Sequence, residues 1–322
     1  MTESVAHLII SNRRYGGGVY GNYISKLEHV KNYPLITTNS RNKFVKLGNY
    51  YINLFKFSKK SKEDTIIRNM DGAFFMSRKK RNIVVFHHYH PISNNKSLFL
   101  YQKFVYRNLL KVFDTIDTLV VVSNYWRKYF ETLNIPIKRV KVVYNPFEIE
   151  LYHQREREEI DRFKAKYDLD DRPIVYIGNP QREKGTQESY EALKGLDIQM
   201  VSSGISHIKL PIKHLELSFY DYITLLQASS LSVLMSNLKE GWNRVAHESI
   251  LCKTPVIGTG YGGMGELLSG AEQTVCRDFR ELPELVKKSL ENPTLSERAY
   301  RYAKSFDMDR FKSAWEEILI EQ

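Results

Sequence analysis

Residues 239–268 read KEGWNRVAHESILCKTPVIGTGYGGMGELL, and the rest of the chain is organised around them. Two carboxylates eight positions apart, Glu240 and Glu248, bracket the start of a helix that Asn243 can cap, because its side-chain oxygen accepts from a first-turn amide. The run Thr-Pro-Val-Ile at 254–257 predicts a short strand. It feeds Gly258, Gly260, Gly262 and Gly263, residues that permit close approach of backbone to a ligand. A second helix starts near Gly263 with Glu266 in its first turn, where a carboxylate also simply stabilises the helix. Loop, helix, strand, glycine loop and helix in this order build a ligand crevice at the carboxyl ends of the strands of an α/β sheet. Carboxylates are acceptors only, so the pair suits sugar hydroxyls, which are donors and come in vicinal pairs. The backbone N–H groups of Trp242, Asn243, Arg244 and Val245 would face an anion. The plainer alternative is one solvated and one capping carboxylate.

Working outward, residues 174–177 predict a strand that runs into Gly178-Asn179-Pro180-Gln181-Arg182-Glu183-Lys184-Gly185 and a helix over about 186–193. Two cations at a helix N-terminus are poorly explained as helix stabilisation, since the dipole favours negative charge there. A bound anion explains them better: Arg182 offers a bidentate fork and Lys184 a point charge, together suited to a diphosphate. Further strands are expected at 198–201 and 231–235, and helices at 220–227, 280–290, 294–304 and 308–320. The last carries Phe311, Trp315, Ile318 and Leu319 as a buried stripe that would pack back across a domain junction.

In the first half, a strand at 6–10 leads through Ser-Asn-Arg-Arg-Tyr to Gly16, Gly17 and Gly18 and a helix over 19–27, which lets backbone amides approach a phosphate. These glycines match the dinucleotide pattern G-x-G-x-x-G poorly, and a tight turn serving only packing is the alternative. Strands are expected at 34–37, 50–57, 65–67, 83–86, 117–122 and 140–143, and a helix at 98–112 with an aromatic and aliphatic face. Strand 83–86 delivers His87, His88 and His90 to its carboxyl end. Alternate residues on an extended chain supply only two metal ligands, and no Cys, Asp or Glu completes a set, so an imidazole orienting a hydroxyl or phosphate is the favoured role, with loop packing and capping as the alternative. Ser123 is a credible cap for the helix after 117–122. Repeated strand and helix segments imply parallel strands buried on both faces.

With 322 residues the chain exceeds the usual extent of one core, so two domains are expected, with the boundary near residue 150 beside the charge run at 154–159 and one large domain as the alternative. Two cysteines without ligand spacing, Cys252 and Cys276, read as reduced interior residues of a cytoplasmic protein. The net charge of +11 is uneven: residues 1–150 hold 25 Lys+Arg against 10 Asp+Glu, a net of +15, and the remainder holds 23 against 27, a net of −4. Such a field serves an anionic membrane surface or an anionic substrate, a merely soluble surface is the plainer alternative, and nucleic acid is disfavoured because no nucleic-acid-binding signature accompanies it. No apolar run approaches the length of a membrane span and the N-terminus has no signal pattern, so any membrane contact is expected from the cytoplasm and at the surface.

The chain resembles the retaining, nucleotide-sugar-dependent glycosyltransferases of family 4. EGWNRVAHE at 240–248 is close to that family's E-x7-E motif, and CKTPVIGTGYGGMGELL matches its following strand and glycine loop. REKG at 182–185 sits where the family has a basic phosphate loop, and GGGVYGNYISKL and HYHP at 88–91 look like its first glycine loop and histidine loop. The resemblance spans the chain and is strongest over 174–268. It implies a GT-B fold of two Rossmann-like domains, with parallel sheets facing across a cleft. It also implies a hexose-type transfer from a nucleoside-diphosphate sugar to a glycan or lipid-linked saccharide, with no cofactor or metal, by a monomer or homodimer. Carried over residue by residue, Glu248 would bind the ribose and Glu240 the transferred sugar. Arg182 and Lys184 would hold the diphosphate, aided by Asn179, by the amides at 242–245 and by Gly17 and Gly18. His90, or else His88, would sit by the donor sugar. The chain departs from the family in having Gly178-Asn179 where Gly-Arg is common, so that either Arg182 supplies the cation or donor binding is weaker. A sugar-nucleotide epimerase on the same fold and a non-catalytic sugar-nucleotide-binding module are the alternatives.

Overall fold

The computed structural model describes residues 4–9, 17–35, 40, 42–90, 96–136 and 139–321. It divides into two compact units: residues 1–146 with 311–322, and residues 147–310, where the sequence reading has one boundary near 150.

The first unit is built on six parallel strands, β1 (Val5–Ile9), β2 (Val30–Pro34), β3 (Thr65–Asn69), β4 (Arg81–Phe86), β5 (Thr118–Val121) and β6 (Val140–Val142), in the order β2-β1-β3-β4-β5-β6. Its helices are α1 (Gly17–Ile24), α2 (Lys43–Lys60), α3 (Lys96–Lys111) and α4 (Asn124–Glu131). Parallel strands covered on both faces lose the polar–apolar alternation of an exposed sheet, which is why β4 and β5 read as the runs IVVF and TLVV. Phe86, Trp126 and Phe130 pack edge to face on one side of this sheet. The C-terminal residues 311–322 belong here too: Trp315 is fully buried, and Arg81 donates to the carbonyls of Ile318 and Leu319, satisfying acceptors that the end of a helix leaves open.

The second unit repeats the plan with β7 (Ile174–Tyr176), β8 (Gln199–Ser203), β9 (Lys213–Leu215), β10 (Leu231–Leu234), β11 (Val256–Gly258) and β12 (Thr274–Val275). Its parallel order is β12-β11-β10-β7-β8-β9. Helices α5 (Arg157–Lys166), α6 (Thr186–Leu193), α7 (Phe219–Ala228), α8 (Arg244–Leu251), α9 (Gly263–Gly270), α10 (Leu282–Glu291) and α11 (Glu297–Lys304) surround it, and α12 (Met308–Ile320) leads to the C-terminus. The chain winds outward from β7 in one direction and restarts at β10 in the other, so β7 and β10 are neighbours at the point where strand order reverses. Loops that leave adjacent strands at such a point diverge and leave room for a ligand.

Three expectations change. Residues 50–57 lie within α2, not a strand: the aromatic and β-branched run suggests a strand by composition, but the Asn42 side chain accepts from the Phe44 and Val45 amides and starts a helix ahead of it. The strand expected at 34–37 ends at Pro34, with residues 36–39 outside the described set. Ser123 occupies the cap position of α4, yet its buried hydroxyl makes no capping bond.

Candidate active site

In the second unit, three loops leave the carboxyl ends of the adjacent strands β7, β10 and β11 and bind one another through backbone. After β7 the chain makes a short 3-10 turn, Arg182–Lys184, and closes it with Gly185 at φ +64°. A Cβ at Gly185 would collide with the carbonyl oxygen of Met235, at the end of β10. The Asn237 amide donates to the Glu183 carbonyl at 3.1 Å, which fixes this turn beside the loop after β10. After β11, Gly262 at φ +70° bridges to Glu240, and the Gly263 amide donates to the Glu240 carbonyl at 2.8 Å. A Cβ on Gly262 would lie 2.6 Å from the Glu240 nitrogen and closer still to its carbonyl oxygen, so only glycine fits.

This scaffold brings Lys184 and Glu240 together. The ammonium donates to Glu240 Oε1 at 2.6 Å, and the Ser236 hydroxyl donates to the same oxygen at 2.8 Å. Glu240 is buried while the Lys184 side chain is about one-third exposed (34%), so the pair presents its cationic end outward. Arg182, two residues earlier, is exposed.

Glu248 sits on α8, also buried. Tyr222 donates to its Oε2 at 2.8 Å, while Tyr152 and Arg244 reach Oε1 at the longer distance of 3.4 Å. Burial holds this carboxyl above the usual carboxylate range, against the opposing pull of Arg244 and the two tyrosine hydroxyls. Arg244 also stacks its guanidinium on the Phe147 ring at 4.3 Å, which aligns it beside the carboxylate.

The start of α8 is set by Asn243, whose side-chain oxygen accepts from the Ala246 amide at 2.9 Å and whose carbonyl accepts from His247. These bonds occupy the amides of Ala246 and His247, so an anion at this terminus would depend on the earlier ones. The Asn243 side chain is thereby committed to capping. Trp242 faces inward: its indole N–H donates to His247 Nδ1 at 3.0 Å. His247 in turn donates from Nε2 to the Ala303 carbonyl at 3.0 Å and stacks on Phe147 with ring centroids 3.9 Å apart. Burial pushes this imidazole down to about 3, so it is a neutral strut under the loop that carries Glu240. Asn179 is half-buried and packs against Gly204, where a Cβ would meet its side-chain nitrogen.

The first unit has its own set of strand-end residues. Gly17 and Gly18 lie in the first turn of α1, and a Cβ added at Gly17 would come within 3.0 Å of the His87 ring. His87 packs edge to face on Tyr20, its Nε2 is buried without a hydrogen-bond partner, and burial lowers it to about 3. His90 is half-buried and His88 exposed; Gly16 and Pro91 lie outside the described residues. Among the described residues no three His, Cys, Asp or Glu side chains gather at metal-binding distance. The sequence reading names His87 only as one of the histidine run, and it does not single out Tyr152, Tyr222 or Ser236. Isolated tyrosines and serines far from the motif give no local pattern, while His87 was visible as the first residue of the histidine run.

Residues 157–306 match the family model for glycosyl transferases group 1. An uncharacterized glycosyltransferase of Methanocaldococcus jannaschii is 26% identical over 156 residues, covering 42% of this chain and 44% of that protein. The chain therefore spans under half the length of that relative. Among solved structures, Anabaena HepE in complex with UDP and glucose superposes with a TM-score of 0.76 at 15% identity, covering 99% of this chain and all of that one. Sucrose-phosphate synthase of Thermosynechococcus elongatus gives 0.76 at 15% identity, with 98% and 97% coverage. WaaG, a glycosyltransferase involved in lipopolysaccharide biosynthesis, gives 0.71 at 14% identity, with 99% and 100% coverage. The fold is that of the GT-B glycosyltransferases, with two six-stranded parallel sheets and flanking helices.

Proposed function

We propose that this chain is a retaining glycosyltransferase that moves a hexose-type sugar from a nucleoside-diphosphate sugar to a glycan or lipid-linked saccharide. The observation that carries the reading is the meeting of Lys184 and Glu240 at the β7/β10 reversal, one helix start away from the buried Glu248, within the segment that matches group 1 glycosyl transferases. Three comparisons point the same way: the family match, the M. jannaschii relative, and the UDP and glucose held by HepE.

The residues divide the work by charge. The Lys184 ammonium has three donors, one of which is spent on Glu240, and Arg182 stands exposed beside it. Together they neutralise the diphosphate as it departs, so the reaction needs no metal ion. Glu240, held by Ser236 and Lys184, accepts from a sugar hydroxyl. Glu248 accepts from the ribose at Oε1, whose present contacts with Tyr152 and Arg244 are long enough to exchange. In transfer with retention, the acceptor hydroxyl attacks the anomeric carbon from the face that the diphosphate leaves. The new C–O bond forms as the old one breaks, and the hydroxyl proton passes to a phosphate oxygen. Gly17, Gly18 and His90 complete the assignment on the first unit.

The test is release of nucleoside diphosphate from a panel of nucleotide sugars, with and without EDTA. Turnover of one donor that survives EDTA and falls at least about a hundredfold in Lys184→Ala, as loss of a single transition-state donor does, is the expected result. Abolition by EDTA would overturn the metal-free part, and product retaining the nucleotide with an inverted sugar centre would favour the epimerase. Binding without turnover would favour a non-catalytic module.

A further inference from the structure

Two helices of the first unit expose apolar residues in an ordered way. On α2, Val45, Ile52 and Phe55 are exposed at spacings of seven and three, which places them on one stripe, and Lys59 continues it. On α3, Leu100 and Phe104 are exposed at a spacing of four, and Arg107 and Lys111 continue that stripe. Each stripe therefore combines apolar and basic residues. The opposite faces are buried, with Leu54 on α2 and Val105, Tyr106 and Leu109 on α3 in the core.

The two stripes form one surface. Tyr51 of α2 and Tyr101 of α3 bring their hydroxyls to 3.4 Å. Between the helices, the loop after β3 inserts Phe74, which packs on Tyr51 and stacks on Phe104 at 5.4 Å. Phe75 points outward instead, 47% exposed, against Phe55 at 5.4 Å. Its backbone has φ +58°, a left-handed conformation that a bulky side chain adopts only at a cost. A turn alone would be served by glycine or asparagine. The Phe75 ring meets only Phe55 and Phe74 among the ring contacts of the described residues, and nearly half of it stays open to a partner.

Charge identifies the occupant. Neither α2 nor α3 contains Asp or Glu, and Phe75 is followed by the run Arg78-Lys79-Lys80-Arg81. The ammonium of Lys59 lies over Phe55, and that of Lys103 over Phe99, so cations and aromatic rings are interleaved. A protein partner with an apolar face would leave so many uncompensated cations at the rim. A bilayer with acidic headgroups takes both parts, the rings at the headgroup boundary and the cations at the phosphates. No helix among the described residues is long and apolar enough to cross a membrane. We propose that the face formed by α2, Phe75 and α3 docks the protein on the surface of an anionic lipid bilayer, with Phe75 as the inserted wedge. The inference does not depend on the donor-site reading, since it uses none of the same residues.

Co-sedimentation with phosphatidylcholine vesicles, with and without phosphatidylglycerol, tests it. The wild-type chain should sediment with the anionic vesicles and be released by salt. Phe55→Ser/Phe75→Ser/Phe104→Ser should reduce partitioning at least about tenfold at unchanged salt. Phe75→Trp, a milder change, gives a second readout: the native Trp126, Trp242 and Trp315 are all buried, so the new indole reports its own surroundings. Its emission should shift to the blue on adding anionic vesicles. Wild-type protein that stays in the supernatant at every composition would overturn the proposal, as would unchanged partitioning of the triple variant or an unshifted indole. A dimer in light scattering that Phe75→Ser dissociates would assign the face to a second copy instead.

Discussion

In the second unit Lys184 after β7 pairs with Glu240 after β10, and Arg244 pairs with Glu248 on α8, whereas in the first unit Lys59 of α2, Arg107 and Lys111 of α3, and Arg78 and Lys79 are exposed. Lys184 meets Glu240, and Arg244 meets Glu248, inside a frame of backbone contacts that tolerates no extra atom at Gly185 or Gly262. On the first unit, Gly48 in the middle of α2 has nothing within reach of an added Cβ, and the cations around it have no acidic neighbour on their own helix. The same fold is thus used twice with opposite aims. One copy locks its charged side chains in a rigid backbone frame, and the other leaves a broad basic and apolar surface exposed.

The sharpest way to break that contrast is at Gly262. Replacing it with alanine forces a left-handed residue against the Glu240 backbone and should cost about 3 kcal/mol or more, from strain plus overpacking. Chemical denaturation measures the loss. A stable, fully active Gly262→Ala would show that the glycine loop does not position Glu240.

Acid is the next lever. His247 is neutral in the folded chain because burial lowers it to about 3, while an unfolded histidine takes a proton near pH 6.5. Its contribution to stability is therefore full above pH 6.5 and is lost as pH falls toward 3, by roughly 1.4 kcal/mol per unit. His7, lowered to about 4, and His87 act in the same direction in the first unit. Glu248 has the opposite sign: with its carboxyl raised, its contribution is present at low pH and is lost as pH rises through the carboxylate range. Stability measured between pH 6.5 and 5 should fall, and His247→Asn should flatten that slope whatever it does to stability at neutral pH. An unchanged slope would mean that His247 is protonated in the fold.

The smallest effect belongs to the open helix. Gly48→Ala should raise stability by about 0.5–1 kcal/mol, because alanine loses less backbone entropy and meets no neighbour. A loss of stability there would show that α2 is packed more closely than its exposure indicates.

The contrast also governs how much could be read in advance. The second unit was legible because its chemistry is local: the strand at 231–235, the Asn243 cap, α6 at Thr186–Leu193 and the glycine loop each carry their signal within a few residues. The backbone grip of Gly262 on Glu240 was not, since a spacing pattern records that a glycine is present but not what it would strike. For Trp242 the motif speaks to the backbone amide alone, and the role of its side chain, which supports His247, has no signal in the spacing. On the first unit, α2 was misread because YYINLFKF has the composition of a strand. Its exposed Ile52 and Phe55 fit a helix whose outer face is also apolar, which periodicity in search of a buried face does not reveal. Strands β9 and β12 are edges of three and two residues, too short to leave a pattern.

The central claim is that nucleotide recognition resides in the Glu248 carboxylate and the Lys184 ammonium of the second unit. Calorimetric titration of UDP and GDP into the wild-type chain, Glu248→Gln and Lys184→Ala, each checked for an intact fold by circular dichroism, tests it most directly. The account predicts that one of the two nucleotides binds and that each substitution weakens it at least about tenfold, the equivalent of one charged hydrogen bond. Affinity unchanged in both variants, in folded protein, would contradict it.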